Sequence, residues 1–439
     1  MRLMSLMYCG ALALGAAMSV FACAASGGER LELPSPDSGD GVTVIEDAGA
    51  ALSDAPASEP DSSPIDGPTC SDAGWCRTEL PDVDLVLKDI WPVGAHAFAV
   101  ADSPTLGVKV LEWSDTSSSW QYIDDSSQNS IGVGKYAGRL WAPNENEGYY
   151  GVAPGYIYHG TRPVPPATTW GWIRHRLGGN SGAGNVDPQA GYPSYWKIGA
   201  NYPALGVWGT SASDVYAWFS NTIYHWTSVD GGAPEWVPEY VADDASAATE
   251  RMFFLAAAGT GPDGIWFAGA RSRPSAACAV IVRKTSAGYE RIADGALTND
   301  FARCGPRAGS LLISGGEEGW LTDIQATSAD RILGLKGGRD LVRISAAGDG
   351  YEVRVSPVPL RVSPRPLSSF WRAPDSMWLA GWGIVVRATE SVWDGGAYEV
   401  STISMAGAPL ARPLYQVRGT SDTKLWAIGE RNALHKTTP

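Results

Sequence analysis

Short apolar runs alternate with clusters of small polar residues along most of the chain, and the stretch Leu205–Trp226 shows this pattern most clearly. β-Branched and aromatic residues fill Leu205–Trp208, Val215–Phe219 and Thr222–Trp226, and Gly, Ser, Asn and Asp separate these runs. Runs of this length and composition, divided by such turn residues, are typical of antiparallel strands. The stretch therefore predicts a three-stranded antiparallel meander.

Variants of this unit recur at intervals of about 45 to 70 residues, which indicates a repeat architecture. The second strand of each copy carries a large residue followed by small ones, as in Trp378–Gly381, and a third strand follows. Several copies have room for a fourth strand. The first strands are centred on Ile90, Leu140, Val207, Phe254, Asp323, Phe370 and Gln416. Four short strands per repeat predict an all-β fold, a single β-propeller with seven four-stranded blades.

The two ends of the repeat array complement each other. The last copy stops at Pro439 shortly after its third strand, so no outer strand follows it. The segment Trp75–Leu80 precedes the first copy and has the composition of an outer strand. We expect this N-terminal strand to pair with the third strand of the last copy and to close the ring, since closure removes an exposed sheet edge.

The chain begins with a segment typical of export. Residues Met1–Ala22 combine an early Arg2 with a long run rich in Ala and Leu, which predicts a signal peptide. The run ends Val20-Phe21-Ala22-Cys23 and is similar to the lipobox of bacterial lipoproteins, in which the cysteine is lipidated. We therefore expect lipidation at Cys23 and a location in the bacterial cell envelope, at the outer membrane. The alternative is ordinary cleavage and a soluble secreted protein.

Residues 23–69 have the composition of an acidic, disordered tether. Residues 24–69 contain no Phe, Trp or Tyr, and ten acidic residues stand there against one Arg. Such a segment cannot bury enough apolar surface to fold. All 19 Trp residues lie between Trp75 and Trp426, which places the propeller at 70–439. The net charge of −14 and the pI near 4.8 give no support for nucleic-acid binding.

Four cysteines remain after the signal segment and Cys23. They are Cys70, Cys76, Cys278 and Cys304, which allow three pairings. We favour Cys70–Cys76, beside the closing strand, and Cys278–Cys304, within an enlarged blade. The spacings lack the C-x2-C signature of a structural zinc site, so we expect no metal and no cofactor.

Some polar residues recur at the same place in several repeats. They are candidates for a functional site, but a structural role would explain them as well. His159, His225 and His435 occupy equivalent places in third strands, where other copies carry Glu or Arg. Acids such as Asp214 and Asp422 precede second strands, where Asp stabilises turns through local bonds to the backbone. A catalytic acid is expected in one copy rather than in several. The chain also lacks the common hydrolase, zinc-protease, phosphate-loop and calcium-loop motifs.

Two intervals between repeats are longer than the others, and long loops in a compact fold are often functional. The first insertion spans Thr161–Ala204, and the second lies within Lys284–Trp320. In the first insertion, aromatic side chains alternate with Arg, and this combination suits protein or carbohydrate recognition. The candidate binding residues there are Trp170, Trp172, Arg174, Arg176, Tyr192, Tyr195 and Trp196. The alternative is that Trp170 and Trp172 form an outer strand and Trp196 packs under the loop.

The best-preserved repeats allow a comparison with a known family. Val207–Ala217 followed by Ile223–Trp226 resembles the V-W-G-S-x-x-D-V-W-A-V-G…I-x-H-W repeat of exported tryptophan-repeat β-propeller lipoproteins of myxobacterial type. Gly419–Gly429 is a second recognisable copy, and Asp72–Cys76 is similar to the segment that precedes the first blade in that family. The resemblance implies an envelope-anchored propeller whose activity is unassigned.

These observations favour a binding or scaffolding module over an enzyme. We expect a lipid-anchored, extracytoplasmic propeller that binds an envelope or extracellular protein or a glycan. The alternative is a carbohydrate-active hydrolase or lyase with its site at one mouth of the ring. Convergent acids and arginines in a deep axial pocket would favour the enzyme, whereas a shallow aromatic face would favour binding.

Overall fold

The computed structural model describes residues 70–130, 136–178, 194–195, 200–201, 204–242, 244, 250–273, 276–298, 304–314, 319–405 and 408–438. The predictions for the signal segment, for Cys23 and for the acidic segment up to residue 69 lie outside the described residues. Among the described residues, no helix has the length and hydropathy that a membrane span requires.

The fold is a β-propeller of seven four-stranded antiparallel blades, as the repeat predicts. The first strand in the chain is β1, Trp75–Thr78. Blade 1 consists of β2 Val86–Val93, β3 His96–Ser103, β4 Gly107–Ser114 and β5 Ser119–Tyr122. Blade 2 consists of β6 Ala137–Asn144, β7 Glu147–Val152, β8 Tyr156–Thr161 and β9 Gly171–Arg176. The short strands β10 Ser194–Tyr195 and β11 Ala200–Asn201 follow. Blade 3 consists of β12 Leu205–Ser211, β13 Asp214–Phe219, β14 Thr222–Ser228 and β15 Pro234–Val241.

The remaining blades repeat this order. Blade 4 consists of β16 Arg251–Gly259, β17 Ile265–Arg273, β18 Ala276–Thr285 and β19 Gly288–Ala293, followed by β20 Gly295–Leu297 and β21 Cys304–Pro306. Blade 5 consists of β22 Leu321–Ser328, β23 Arg331–Lys336, β24 Asp340–Ala347 and β25 Gly350–Pro357. Blade 6 consists of β26 Ser369–Arg372, β27 Met377–Ala380, β28 Ile384–Ala388 and β29 Tyr398–Thr402, followed by β30 Ser404–Met405 and β31 Ala408–Pro409. Blade 7 contains β32 Leu414–Ser421, β33 Lys424–Gly429 and β34 Asn432–Lys436. Two 3-10 helices, Ser127–Asn129 and Glu390–Asp394, complete the described elements.

The first strand of every blade lines the axis. These inner strands contact one another in a closed cycle: β2, β6, β12, β16, β22, β26, β32 and back to β2. These inner strands are largely buried, because each one lies against the second strand of its own blade and the inner strands of the two neighbouring blades. Glycine is required where this packing is tightest, as at Gly269, where a β-carbon would lie 1.9 Å from the carbonyl oxygen of Phe253.

The ring closes through β1, as predicted. β1 pairs antiparallel with β34, with Trp75 opposite Lys436 and Thr78 opposite Ala433, so it supplies the outer strand of blade 7. The disulfide Cys70–Cys76 lies at this strand, and Cys278–Cys304 joins blade 4 to the connection that follows it. Both pairings are the ones that the sequence favoured.

One cross-strand pair recurs in all seven blades between the second and third strands. Its members are Phe98–Glu112, Tyr149–His159, Tyr216–His225, Trp266–Arg283, Leu333–Arg343, Trp378–Arg387 and Trp426–His435. The three histidines stack on their aromatic partners, with ring centroids 4.0 to 4.3 Å apart. The polar residues that align in the sequence therefore occupy equivalent positions in the seven blades. The three histidines at this position cover an aromatic ring of the neighbouring strand.

Two of the acids that precede second strands make structural bonds, and these bonds differ from those expected. Asp422 accepts hydrogen bonds from Trp378 Nε1 at 2.7 Å and from the Ser376 hydroxyl, both in the preceding blade. Asp330 pairs with Arg283 of the preceding blade at 2.5 Å. These two carboxylates therefore join neighbouring blades.

The antiparallel order gives the ring two distinct ends. The turns between first and second strands and between third and fourth strands lie at one end, which we call the turn face. The turns between second and third strands and the connections between blades lie at the other, the loop face. The connections that follow blades 2 and 4 are the enlarged ones, and each leaves an outer strand and enters the next inner strand at the loop face.

Candidate functional site

A cavity of about 180 Å³ lies on the ring axis. Inner strands from blades 1 to 5 and from blade 7 line it, together with Trp218. Four charged side chains meet there, Asp89, Arg139, Asp323 and Arg418, beside the indoles of Trp91 and Trp208. Both carboxylates are buried, and the two guanidiniums are nearly so. The geometry therefore brings acids and arginines together in the axial opening of the ring.

These charges are already paired with one another. Arg418 lies 3.3 Å from Asp323 and 3.6 Å from Asp89, and Arg139 lies 3.5 Å from Asp89. Arg139 also donates to the carbonyl of Thr322 at 2.9 Å, across the ring. The backbone N–H of Leu140 donates to Asp89 at 2.9 Å. The cluster thus connects blades 1, 2, 5 and 7 through the axis, and we call it the axial tie.

The axial tie contains the acids and arginines expected of an enzyme site, but these side chains are not available to a substrate. Both carboxylates have guanidinium partners, and ligand pockets are usually larger, at about 300 to 1,000 Å³. A buried charge that loses its partner is costly, so a ligand would have to replace these contacts fully. The arrangement is better suited to hold the ring together than to admit a substrate.

The tryptophans of the first candidate surface belong to the blade core. Trp170 is 8% exposed and lies edge-on to Phe98, with centroids 5.6 Å apart. Trp172, in β9, donates from its indole nitrogen to the carbonyl of Ile123 at 2.7 Å. Trp172 lies in the outer strand β9, as the structural alternative expected, whereas Trp170 immediately precedes that strand. They pack blade 2 against blade 1 and leave little ring surface for a ligand.

The arginines of the same strand do reach solvent. Arg174 and Arg176 are exposed, and their guanidiniums lie 5.3 and 5.8 Å from the ring centroid of Tyr156. Ile173 between them is 60% exposed. The side chains of Tyr192, Tyr195 and Trp196 lie outside the described residues, so their place in this surface stays a prediction.

The second insertion is fastened to blade 4 by charge as well as by its disulfide. Arg271 is fully buried and donates to both oxygens of Asp294 at 2.9 and 2.7 Å and to Glu250 at 3.1 Å. Arg307 from the insertion lies 2.9 Å from Asp244, which Arg291 also contacts at 2.6 Å. This network immobilises the base of the connection, and its charges are engaged with one another.

Sequence reasoning missed a surface on the loop face of blades 5 to 7. Trp382, in a turn of blade 6, is 41% exposed, and it is the one exposed aromatic side chain among the described residues. The Arg365 guanidinium lies 4.2 Å from its ring centroid. Leu360, Arg361 and Arg431 are also exposed at this end. We call Leu360, Arg361, Arg365, Trp382 and Arg431 the loop-face patch.

Hydrogen bonds fix the segment that carries the loop-face patch, but the arginines of the patch lack carboxylate partners. Arg339 donates to the carbonyls of Ser363 and Pro364 at 2.6 and 2.7 Å and so fixes the connection that carries the patch. Within the described part of the chain, Arg361, Arg365 and Arg431 have no carboxylate partner. One signal was present in the sequence, because residues 357–371 contain two arginines and no acid in an otherwise acidic protein.

The described residues contain no group of three or more His, Cys, Asp or Glu that could hold a metal ion. Cys23, the predicted lipidation site, lies before the described residues.

Comparison with known proteins supports the fold. No family model matches the chain, and no curated protein matches it. Among solved structures, YCF48 from Cyanidioschyzon merolae is similar with a TM-score of 0.53 at 14% identity, covering 84% of this chain and 99% of that one. A structure of YCF48 bound to D1 peptide is similar with a TM-score of 0.50 at 14% identity, covering 85% of this chain and 98% of that one. At this identity the likeness shows a shared propeller fold.

Proposed function

We propose that this chain is an exported β-propeller that binds a protein partner on its loop face. The observation that carries the proposal is in the loop-face patch: the Arg365 guanidinium, which has no carboxylate partner among the described residues, lies 4.2 Å from the ring centroid of the exposed Trp382. Trp and Arg are the residues most enriched at the energetic centres of protein interfaces. The two disulfides support an oxidising, extracytoplasmic location.

A protein partner fits this surface better than a glycan. Sugar binding relies on exposed aromatic rings that stack on the pyranose face, and the described residues expose one such ring, Trp382. Arg361 and Arg365 instead provide planar donors suited to carboxylates. That YCF48, a propeller of similar fold, is known with a bound D1 peptide is consistent with a protein ligand for such a ring.

Site-specific photo-crosslinking in producing cells tests the proposal. A photoreactive residue replaces Leu360 or Arg361 on the loop face, and Val164 or Val229, which are exposed on turn-face loops, serve as matched controls. We expect one discrete adduct from the loop-face positions, sensitive to protease, and none from the controls. Equal adducts from both faces, or a protease-resistant glycan adduct, would contradict a protein site on the loop face.

We further propose that the chain is a lipid-anchored member of the tryptophan-repeat lipoproteins that its repeats resemble, placed at the outer membrane through Cys23. The signal pattern of Met1–Cys23 and the repeat at Val207–Ala217 support this. Labelling cells with a palmitate analogue should mark the protein, and Cys23→Ser should abolish the label. Absence of the label from both proteins would favour a soluble secreted protein, and a label that persists in the variant would place the lipid on another residue.

The alternative function is a carbohydrate-active hydrolase or lyase at the axis. Asp89 and Asp323 favour it, because they converge beside Arg418 and Trp91. Release of reducing sugar from envelope polysaccharide, lost in Asp89→Asn and Asp323→Asn variants that stay folded, would establish this activity. We expect no such release, since the axial carboxylates are engaged within the protein.

A further inference from the structure

An open sheet edge lies on the rim of the ring, along β9 of blade 2. β9 pairs with β8 at six consecutive positions without a register shift, from Thr161 opposite Gly171 to Tyr156 opposite Arg176. The strand contains no proline, and four of its six residues are exposed. A regular edge of this kind presents a row of unpaired backbone groups to solvent.

The hydrogen-bond pattern of blade 2 shows which residues of β9 carry these groups. The N–H of Leu177 donates to the carbonyl of Gly155 at 2.8 Å, so Gly155 and Leu177 form a hydrogen-bonded pair. Such pairs alternate along an antiparallel ladder, and Trp172, Arg174 and Arg176 therefore lie at the intervening positions. Their N–H and C=O groups point away from β8, and these groups have no backbone partner among the described residues.

Contacts on both faces of β9 hold the strand in place. A β-carbon at Gly160 would lie 2.3 Å from the ring of Trp172, and the Trp172 indole nitrogen donates to the carbonyl of Ile123 beside blade 1 at 2.7 Å. On the opposite face, the ring of His175 lies edge-on to Trp226 of blade 3, with centroids 4.7 Å apart. The edge is thus fixed before any partner arrives, and a pre-organised site loses little ordering entropy on binding.

The outer strands of the other blades are less open. β1 and β5 have four residues each, and β29 has five. β15 contains Pro234 and Pro238, and both β15 and β19 have a register shift against the strand beside them. Side chains of β25 donate hydrogen bonds to the 3-10 helix Glu390–Asp394. Short strands, prolines and bulges are means by which proteins block edge pairing, and β9 has none of the three.

The charge of β9 distinguishes between possible occupants. Arg174 and Arg176 are exposed and have no carboxylate partner among the described residues. The charge of Asp125 acts on Tyr158, which lies opposite Arg174, but its carboxylate accepts from the N–H and the hydroxyl of Ser127 at 3.0 and 2.6 Å. Two paired copies of β9 would bring arginines of both strands together, and like charges on neighbouring strands are destabilising. A strand with carboxylates opposite the arginines is favoured instead.

We propose that the edge of β9 binds an extended strand of another protein, which joins blade 2 as a fifth strand through backbone hydrogen bonds to Trp172, Arg174 and Arg176. Acidic side chains of the added strand lie opposite Arg174 and Arg176, and an apolar side chain lies opposite the exposed Ile173. In such additions the backbone bonds supply affinity and the alternate side chains supply selectivity. This contact is separate from the loop-face patch and goes beyond the proposed function.

Fluorescence anisotropy with the full chain and a labelled ten-residue peptide of alternating Glu and Val tests the proposal. Two further peptides carry N-methyl groups, one on its Glu residues and the other on its Val residues, so that each loses the N–H groups along one edge only. We expect one of them to bind as the probe does and the other to bind at least about tenfold more weakly, because its hydrogen bonds to β9 are lost. A peptide with Gln in place of Glu should bind about two- to tenfold more weakly.

Arg174→Pro blocks the edge on the protein side. The N–H of Arg174 is not bonded to β8, so blade 2 should stay folded without it, and binding of the probe should weaken at least about tenfold. Val400→Pro is the matched control: the N–H of Ile403 donates to the carbonyl of Gly383 at 3.1 Å, which places Val400 at an equivalent outward position on β29. It should bind the probe as the wild type does. The double variant Arg174→Gln/Arg176→Gln keeps every N–H and should lose only the preference for Glu over Gln.

Equal binding of the two N-methylated peptides would overturn the proposal, as would failure of the probe to bind the wild type. A folded Arg174→Pro variant with unchanged affinity would do the same. A dimer in analytical ultracentrifugation that Arg174→Pro abolishes would assign the edge to a second copy of the chain, and probe binding that emerges only after removal of residues 24–64 would assign it to the chain's own acidic segment. Either result would reject a strand of another protein.

Discussion

At the scale of single residues, the recurrent pair between second and third strands explains most of the polar side chains that resemble a site. His159, His225 and His435 stack on rings with interplanar angles of 3° to 5°. Arg283 and Arg387 cover Trp266 and Trp378 in the same manner. The sequence could predict this role because the position repeats, and a residue that varies among His, Arg and Glu across blades serves packing rather than one reaction.

His435 makes this role measurable through pH. Burial, which outweighs the opposing Asp115 and is aided by Lys424, lowers the pKa of His435 to about 4 from 6.5. The folded state therefore binds fewer protons than the unfolded state between these values, so the free energy of unfolding falls as the pH drops from about 6.5 to 4. With allowance for solvent screening we expect a loss of about 2 kcal/mol.

The variant His435→Phe keeps a ring on Trp426 but cannot bind a proton, so it should lose less stability in acid. Urea unfolding at pH 7 and pH 4.5 gives the comparison. His225→Phe is the control, because it makes the same ring replacement in blade 3 but also removes contacts of 3.1 and 2.9 Å to Asp214 and Glu239, so it should lower the free energy of unfolding at pH 7. An acid loss in His435→Phe as large as that of the wild type would reject the assignment.

At the scale of elements, the short closing strand β1 completes a blade that its own repeat leaves unfinished. Four residues complete blade 7, and Trp75 among them is fully buried against Trp378, with centroids 6.1 Å apart. Blade 7 without β1 would expose the edge of β34 and the core between blades 6 and 7. A short segment far from the last repeat in sequence is therefore needed by the whole ring.

Deletion of residues 70–80 should lower the melting temperature of the entire propeller in a single transition. Trp75→Ala alone should cost about 3–5 kcal/mol, as is typical when a buried tryptophan is truncated. Trp236→Ala, on the half-buried outer strand of blade 3, is the matched control and should cost less. Differential scanning calorimetry measures both. Unchanged melting after the deletion would mean that the ring does not depend on its closure.

The elements also show where prediction from sequence ends. Seven blades and the closure of the ring could be predicted from the repeat period, the turn residues and the isolated strand at Trp75, because these are local patterns in the sequence. The loop-face patch was not predictable in the same way. Arg365, Trp382 and Arg431 come from separate connections and turns, and their lack of carboxylate partners depends on contacts between distant segments. The burial of Trp170 likewise depends on Phe98 in the neighbouring blade.

At the scale of the whole molecule, the ring is joined both at its rim and at its axis. Rim contacts such as Lys424 with Asp115, at 2.6 Å, connect adjacent blades. The axial tie differs because Arg418 and Arg139 connect blades that are not neighbours, 7 with 5 and 2 with 5. It therefore opposes a widening of the central opening, which contacts between neighbours alone resist less well.

Replacement of Arg418 by Met tests whether the axial charges hold the ring or await a ligand. The change leaves Asp89 and Asp323 buried without this partner, and a broken buried pair costs about 3–5 kcal/mol. Addition of Asp323→Asn should recover much of that loss, and 0.5 M NaCl should change the result little because buried pairs are poorly screened. Arg387→Met, whose partner Glu399 is exposed, should cost about 1 kcal/mol or less. If urea unfolding showed equal losses for the two single variants, the axial tie would not be a structural necessity, and its carboxylates would be free for the hydrolase chemistry that the present geometry disfavours.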